Sequence, residues 1–360
     1  MPPVSLLIKP VSGACDMRCR YCFYAEVSKG RDCVMSDETL ENIVRKSLAF
    51  AEDSCAFAFQ GGEPTLAGIE FYKKVIQLQR AYRKRDVHVT NAIQTNGLGV
   101  TEEFAAFFAE NGFLVGLSMD GNADTHDALR PDASGRGTYA RVRAAAKLLR
   151  RHDAEFNILC VVNRLTAAAP GAVYDALKQY QFLQFIPCID VSDGEAFSPP
   201  PALYANFLKV TFDRYYNGFE RGDYVSVRNF DGYVNLLLNL PPDSCAARGV
   251  CGGYCLIEAD GSVYPCDFYA SDAWRLGNIN ETGLVRITNG EKAARFVDAS
   301  KNIPPDCAAC EWHFLCRGGC ARDRQPFGGV PGRNRYCAAY REFFPYAYER
   351  LRDIAYMISK

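Results

Sequence analysis

The sequence predicts an α/β chain, a partial (β/α)6 barrel of the TIM type followed by a smaller cysteine-rich domain. Three observations predict it. Short apolar runs alternate with amphipathic stretches from residue 5 to about 220, several runs end in glycine-rich or polar turns, and the cysteines crowd into two places. With 360 residues the chain has room for a barrel-sized domain and an appendage.

In chain order the apolar runs are SLLIKPV (5–11), CAFAFQGG (55–62), VHVTNAIQTNG (87–97), FLVGLSMDG (113–121), EFNILCVV (155–162) and FLQFIPCID (182–190). Between them apolar residues recur three and four positions apart near 36–52, 69–84, 101–111, 137–152 and 169–180, which predicts helices. Ser36 with Thr39, Thr101 and Pro170 are helix-start signals. Strands separated by helices pair in parallel. Reactive groups of such barrels sit on loops after the carboxyl ends of strands, where GGEP, QTNG and SMDG fall. SDGEAFSPPP, around 191–201, breaks the pattern and reads as a loop; a helix over 202–221 and the segment VSVRNFDG (225–232) lead onward. The expected division is 1–232 for the barrel with its bridging segment, 233–340 for the cysteine-rich domain and 341–360 for a C-terminal helix. No fixed-period repeat and no low-complexity tract is visible.

Lys+Arg 41 against Asp+Glu 42 leave a net charge of −1, so no global field draws in nucleic acid or an anionic membrane. The start, Met-Pro-Pro, runs into an apolar strand without the pattern of a secretory signal. No run of about 18 uncharged apolar residues occurs, so no membrane span is expected. These features predict a cytoplasmic protein, in which sixteen cysteines are metal ligands or redox groups rather than disulfides.

Cys15, Cys19 and Cys22 are spaced C-x3-C-x2-C just after the first strand. Three thiolates in one loop can ligate three irons of a cubane and leave the fourth open. A zinc site is the alternative, but zinc wants a fourth protein ligand and none follows at short spacing before Cys33. Tyr21 and Phe23 flank Cys22 and could shield a cluster from water. Further on, Cys245, Cys251 and Cys266 run C-x5-C-x14-C, and Cys307, Cys310, Cys316 and Cys320 run C-x2-C-x5-C-x3-C before Cys337. Eight cysteines make two groups of four, for two clusters or two zinc sites. Cys33, Cys55, Cys160, Cys188 and Cys255 stand apart.

The triad CDMRCRYC with QGGEPT after the second strand resembles the radical S-adenosylmethionine superfamily. The resemblance implies that the open iron chelates S-adenosylmethionine and that reduction yields methionine and a 5′-deoxyadenosyl radical. It implies that Gly61, Gly62, Glu63 and Pro64 meet the methionyl amino group, glycine allowing close approach and Glu63 offering a carboxylate. Asn96, Ser118 and Arg130 match positions near the cofactor's ribose or carboxylate, Tyr24 is expected against cofactor or substrate, and His126 is read as structural. The C-terminal portion resembles the SPASM extension, which carries two auxiliary 4Fe-4S clusters. Carried over, Cys245, Cys251, Cys266 and Cys320 hold one and Cys307, Cys310, Cys316 and Cys337 the other, for three clusters in all.

From PPVSLLIKP through DGSVYPCDFYASDAWRLGNI to YCAAYREFFPYA the chain resembles anaerobic sulfatase-maturating enzymes. That likeness implies oxidation of Cys or Ser, in a Cys/Ser-x-Pro-x-Arg segment of an unfolded sulfatase, to Cα-formylglycine. A flavodoxin or ferredoxin type reductant is the expected electron donor. Asp267, beside the ligand Cys266 and among the apolar bulk of YPCDFY, is the expected base, because a buried carboxylate near a negatively charged cluster suits proton acceptance. Arg228 and Asp231 are expected to hold the peptide, while Asn229 and the loop ARDRQPFGGVPG depart from the family's pattern. Two other readings stand beside this one. A maturase of ribosomally made peptides would share the motifs, although the first strand begins by residue 5 and leaves no room for a leader-binding domain. A non-catalytic electron carrier would account for the cysteines but not for a triad beside GGEP.

Overall fold

The computed structural model describes residues 4–28, 33–190, 196–324 and 332–360. Residues 191–195 of the expected loop and 325–331 of the segment after Cys320 lie outside the described residues. In chain order the strands are β1 (Val4–Ile8), β2 (Ser54–Phe59), β3 (His88–Thr95), β4 (Phe113–Ser118), β5 (Phe156–Val162), β6 (Phe182–Pro187), β7 (Ser226–Val227), β8 (Cys255–Ile257), β9 (Ser262–Tyr264) and β10 (Gly277–Asn278). The chain divides into two compact units, each gathered from separate stretches: Met1–Ser118, Asp127–Phe156 and Gly252–Phe296 form the first, and Met119–His126, Asn157–Cys251 and Val297–Lys360 the second.

In the first unit β1 to β4 run parallel in that order, with registers such as Leu6↔Phe57, Ala58↔Ala92 and Ile93↔Val115. Each crossover carries a helix, as parallel pairing demands: Asp37–Phe50, Ile69–Tyr82 and Glu102–Glu110. Ser36 accepts the Thr39 N–H at 3.1 Å and Thr101 that of Phe104 at 3.3 Å, so both start signals act as caps. The helices bury apolar faces against the sheet, where the rings of Phe59, Tyr72, Phe108 and Phe113 pack at centroid distances of 5.4 to 6.4 Å. On the other side of β1, β8 adds in parallel (Leu7↔Leu256) and continues antiparallel through β9 to β10. Residues 252–296, part of the cysteine-rich stretch, therefore share a sheet with the first strand of the chain.

In the second unit β5, β6 and β7 are parallel, with Ile158↔Leu183 and Leu183↔Val227 in register. The predicted helix over 169–180 runs Pro170–Leu177 and tightens into a 3-10 turn, Lys178–Tyr180, that ends on left-handed Gln181. VSVRNFDG contains β7 and the start of a helix, Arg228–Leu237, so position 232 lies inside a helix. The long helices Pro201–Arg221 and Cys337–Ile358 pack through Phe212 on Phe343, at 5.6 Å between rings, and Tyr204 packs on Tyr336, just before the second helix, at 4.5 Å. Among the described residues no helix is long and apolar enough to cross a membrane.

Candidate functional site

Cys15, Cys19 and Cys22 occupy the loop that leaves β1, with Cys22 immediately before the short helix Phe23–Val27. The loop is pinned from outside: Arg18 and Arg20 donate their N–H groups to the carbonyls of Pro131 (2.8 Å) and Leu129 (2.9 Å). Arg130, between those two, is buried and donates to the Tyr21 hydroxyl at 2.8 Å. It thus braces the residue before Cys22.

The GGEP turn lies directly on this loop. The N–H groups of Gly62 and Glu63 donate to the carbonyls of Ser12 and Ala14, both at 2.7 Å. A β-carbon on Gly62 would sit 2.0 Å from the Ala14 carbonyl oxygen, and Gly61 has φ +137°, so neither position accepts a side chain without strain. Pro64 opens a 3-10 turn and its carbonyl accepts from Tyr72 at 2.7 Å. Glu63 is fully buried, which pushes its carboxyl up; its oxygens accept from the Thr65 N–H (3.0 Å), the hydroxyls of Thr65 and Thr95 (2.7 Å each) and the Asn96 N–H (2.7 Å). These bonds make Glu63 a brace joining the ends of β2 and β3. Asn96 donates to Asp16 at 2.6 Å and lies 3.8 Å from the Cys15 sulfur, while Ser118 accepts from Gln94 at 3.0 Å.

Tyr24 is directed at a carboxylate the sequence reading did not single out. Its hydroxyl stands 2.8 and 2.7 Å from the two oxygens of Glu258, which also accepts from Ser12 at 3.2 Å. Lys9 lies 3.9 Å from Glu258 and 3.0 Å above the Tyr24 ring; burial lowers its ammonium to about 8, opposed by the charges of Asp267, Glu258, Cys22 and Cys266. A lysine inside the apolar run SLLIKPV was the available signal, since such a residue needs a buried partner.

In the same unit Phe23, next to Cys22, packs on Phe268 at 4.8 Å between rings. That contact brings the triad helix to the turn Cys266–Asp267. Asp267 is buried, and its Oδ1 accepts from the Tyr254 hydroxyl at 2.6 Å. Tyr254 also lies 3.3 Å from the Cys266 sulfur; burial, then the Asp267 charge, pushes its hydroxyl far above the usual tyrosine range.

The second unit gathers the remaining cysteine candidates. Cys307, Cys310, Cys316 and Cys337 line one cavity of about 390 Å³ with Trp312, Tyr340 and Phe344. Burial raises Cys316 to about 11, with smaller contributions from Cys337, Cys307 and Cys310. Cys320, pushed up by burial to about 12, also feels Cys245 and Cys251, so these three stand together; Cys266 belongs to the first unit. Arg324, which the sequence reading did not single out, is buried and donates to the carbonyls of Asn302, Gly249 and Ser300 at 3.0, 3.1 and 2.7 Å. Ser300 in turn accepts the Cys251 N–H at 2.9 Å. Arg324 thereby ties the turns around two of those cysteines together.

Of the expected peptide contacts, Arg228 is half-exposed, pairing with Asp243 at 2.7 Å and Gln184 at 3.1 Å. Asp231 is turned inward, its oxygens accepting from Tyr215, Tyr224 and Ser226 at 2.6 to 2.8 Å, and burial raises its carboxyl. Asn229 accepts the Phe185 N–H at 3.1 Å and so anchors β6. Asp231 and Asn229 support the fold of their unit.

The donor sets fit iron-sulfur clusters. All sixteen cysteines are thiols rather than disulfide partners. Among the described residues no three His, Cys, Asp or Glu side chains meet as ligands of one ion, and the thiolates of a cubane, one to each iron, have no need to.

Residues 10–175 match the Radical SAM superfamily and residues 245–311 an iron-sulfur cluster-binding domain, SPASM. The chain is 43% identical to a cysteine-type anaerobic sulfatase-maturating enzyme of Clostridium perfringens, over 99% of each. It is 33% identical to a serine-type anaerobic sulfatase-maturating enzyme of Klebsiella aerogenes, over 95% of this chain and 84% of that one. A solved structure described as native anSMEcpe with bound AdoMet and Cp18Cys peptide superposes with a TM-score of 0.94 at 43% identity, covering 98% of this chain and 99% of that one.

Proposed function

This chain belongs to the family of anaerobic sulfatase-maturating enzymes, radical S-adenosylmethionine proteins with an auxiliary cluster domain, and on that premise we propose that it oxidises a cysteine side chain of a sulfatase peptide to Cα-formylglycine. The observation that carries the reading is that one compact unit holds Cys15, Cys19 and Cys22 together with Cys266 and Asp267, joined by the Phe23–Phe268 contact. Cysteine is preferred over serine because identity is higher to the cysteine-type relative, 43% against 33%.

The enzyme carries S-adenosylmethionine and three 4Fe-4S clusters, which when bound supply the 5′-deoxyadenosyl radical and the acceptors for one electron. Cys15, Cys19 and Cys22 are the ligands we assign to the radical-forming centre, with Gly61, Gly62 and Asn96 shaping the cofactor's seat. Cys245, Cys251, Cys266 and Cys320 form the ligand set of one auxiliary centre, and Cys307, Cys310, Cys316 and Cys337 that of the other. Asp267 takes the thiol proton as a hydrogen atom leaves the substrate Cβ; loss of an electron then gives a thioaldehyde, which water converts to the aldehyde. Phe23, beside the ligand Cys22, packs on Phe268, the residue after Asp267, which supports the reading that the carboxylate and the triad serve one reaction. Cys-x-Pro-x-Arg segments are the expected substrates and a flavodoxin or ferredoxin the expected reductant. The cytoplasm is the assigned compartment, because cysteine ligands of iron-sulfur clusters call for reducing surroundings.

Anaerobically reconstituted enzyme with reductant, S-adenosylmethionine and paired Cys-x-Pro-x-Arg and Ser-x-Pro-x-Arg peptides tests the reading by mass spectrometry. Aldehyde from the cysteine peptide is expected; cofactor cleavage without aldehyde from either peptide rejects the proposal. Asp267→Asn should still cleave cofactor while losing aldehyde by about 10²-fold or more. Full product yield from that variant would remove Asp267 from its role.

A further inference from the structure

The Tyr254 side chain touches both Asp267 and the sulfur of Cys266. Its hydroxyl oxygen lies 2.6 Å from Asp267 Oδ1 and 3.3 Å from Cys266 Sγ, and all three residues belong to the first unit. A phenol has one hydrogen to donate and a ligating thiolate has none, so between Tyr254 and a cluster-bound Cys266 only the hydroxyl can be the donor. The 2.6 Å separation is at the short end of O–H···O hydrogen bonds. The longer approach to sulfur is within reach of the same hydrogen when it is shared or turned. A hydrogen bond to a ligand sulfur favours the reduced cluster, since it offsets part of the added negative charge.

We propose that Tyr254 is a positioning residue that couples the base to the auxiliary centre, holding Asp267 in place for the substrate proton and hydrogen-bonding the Cys266 sulfur. The inference rests on the functional reading above for the role of Asp267 and on the ligand set for the role of Cys266. Removing the hydroxyl then has two effects that a merely structural residue would not produce together. The cluster ligated by Cys266 becomes harder to reduce, and a freed Asp267 carboxylate captures the thiol proton less often per radical formed. Cofactor cleavage, which takes place at the triad, stays as it was.

The test compares wild-type holoenzyme with Tyr254→Phe, which keeps the ring and removes only the oxygen, at equal iron content. EPR-monitored redox titration without substrate should show one auxiliary centre shifted to a more negative potential. Electron-nuclear spectroscopy in heavy water should lose an exchangeable proton coupled to that centre. Aldehyde formed per cofactor cleaved should fall about tenfold, with the cleavage rate within about twofold of wild type, as expected for loss of one charge-assisted hydrogen bond. Incorporating 3-fluorotyrosine at position 254, whose hydroxyl is a stronger donor, should shift the potential the opposite way. Unchanged potential and proton coupling in Tyr254→Phe overturn the inference, as does an unchanged ratio of aldehyde to cleaved cofactor. If wild type makes no aldehyde from the cysteine peptide while Tyr254→Phe still moves the potential and the proton signal, the hydroxyl-to-sulfur contact is upheld and only the substrate reading fails.

Discussion

Lys9 takes a cation to a position that water does not reach, 1% exposed at the end of β1. Burial lowers its ammonium from the ordinary 10.5 to about 8, despite the opposing charges of Asp267 and Glu258. Because the folded value lies below the unfolded one, the unfolded chain binds more protons between pH 8 and 10.5. Stability contributed by this residue therefore rises with pH across that window and is flat below it. Urea denaturation of cluster-free wild type and Lys9→Met should show the wild type gaining up to about 3 kcal/mol relative to the variant from pH 8 to 10.5. A constant difference across the window rejects the lowered value. Glu258→Gln should cost about 3 kcal/mol at neutral pH, measured the same way, by leaving Lys9 without its carboxylate; Tyr24→Phe, which removes one hydroxyl, should cost about 1. At this scale the sequence was readable where chemistry restricts the residue type. Clustered cysteines and an aspartate beside one of them stand out as candidates, whereas Lys9, Glu258 and Tyr254 owe their meaning to partners distant in the chain.

At the scale of elements, periodicity exposed β1 to β6 and their helices because each buries a regular face, and caps such as Ser36 and Thr101 marked where helices begin. The strands β8, β9 and β10 are two or three residues long and carry no period, so their addition to β1 had no signal in the sequence. The helix Arg164–Ala168 was likewise invisible as a pattern, although Asn163 and Thr166 form a capping box at its start. In the GGEP turn, Gly-Gly was legible as room for a close approach, and the Ser12–Ala14 backbone is one such close neighbour. Gly62→Ala places a β-carbon 2.0 Å from a main-chain oxygen, with no flexible side chain to yield. The expected result is displacement of the triad loop, with S-adenosylmethionine affinity down by about tenfold or more in equilibrium dialysis. The EPR signals of both auxiliary centres should persist. Wild-type affinity in Gly62→Ala would show that the two loops move apart without consequence for the cofactor.

Across the whole chain the cysteines proposed as ligands are unequally shared between the two units. The first unit holds the triad and Cys266, while Cys245, Cys251, Cys307, Cys310, Cys316, Cys320 and Cys337 lie in the second. The two units also differ in what else keeps those ligands in place. Around the triad the sheet β1 to β4 and its aromatic core form a scaffold independent of metal. Around Cys307 to Cys320 the chain has only the short helical turns Pro305–Ala308 and His313–Cys316, with Leu315 and Gly318-flanked turns over a cavity rather than a packed core. Trp312 packs on Phe344 and Tyr348 of the last helix at 5.9 and 5.4 Å, and on the ligand assignment above bound metal should supply much of the remaining stability. Anaerobic iron removal should therefore act locally. Amide hydrogen exchange in residues 305–320 and in the first turns of Cys337–Ile358 should speed up by about 10²-fold or more, while β2 and β3 keep their protection. Uniform loss of protection over both units would mean that the clusters support the entire fold, and unchanged exchange at 305–320 would mean that the Trp312, Tyr340 and Phe344 packing is sufficient without them.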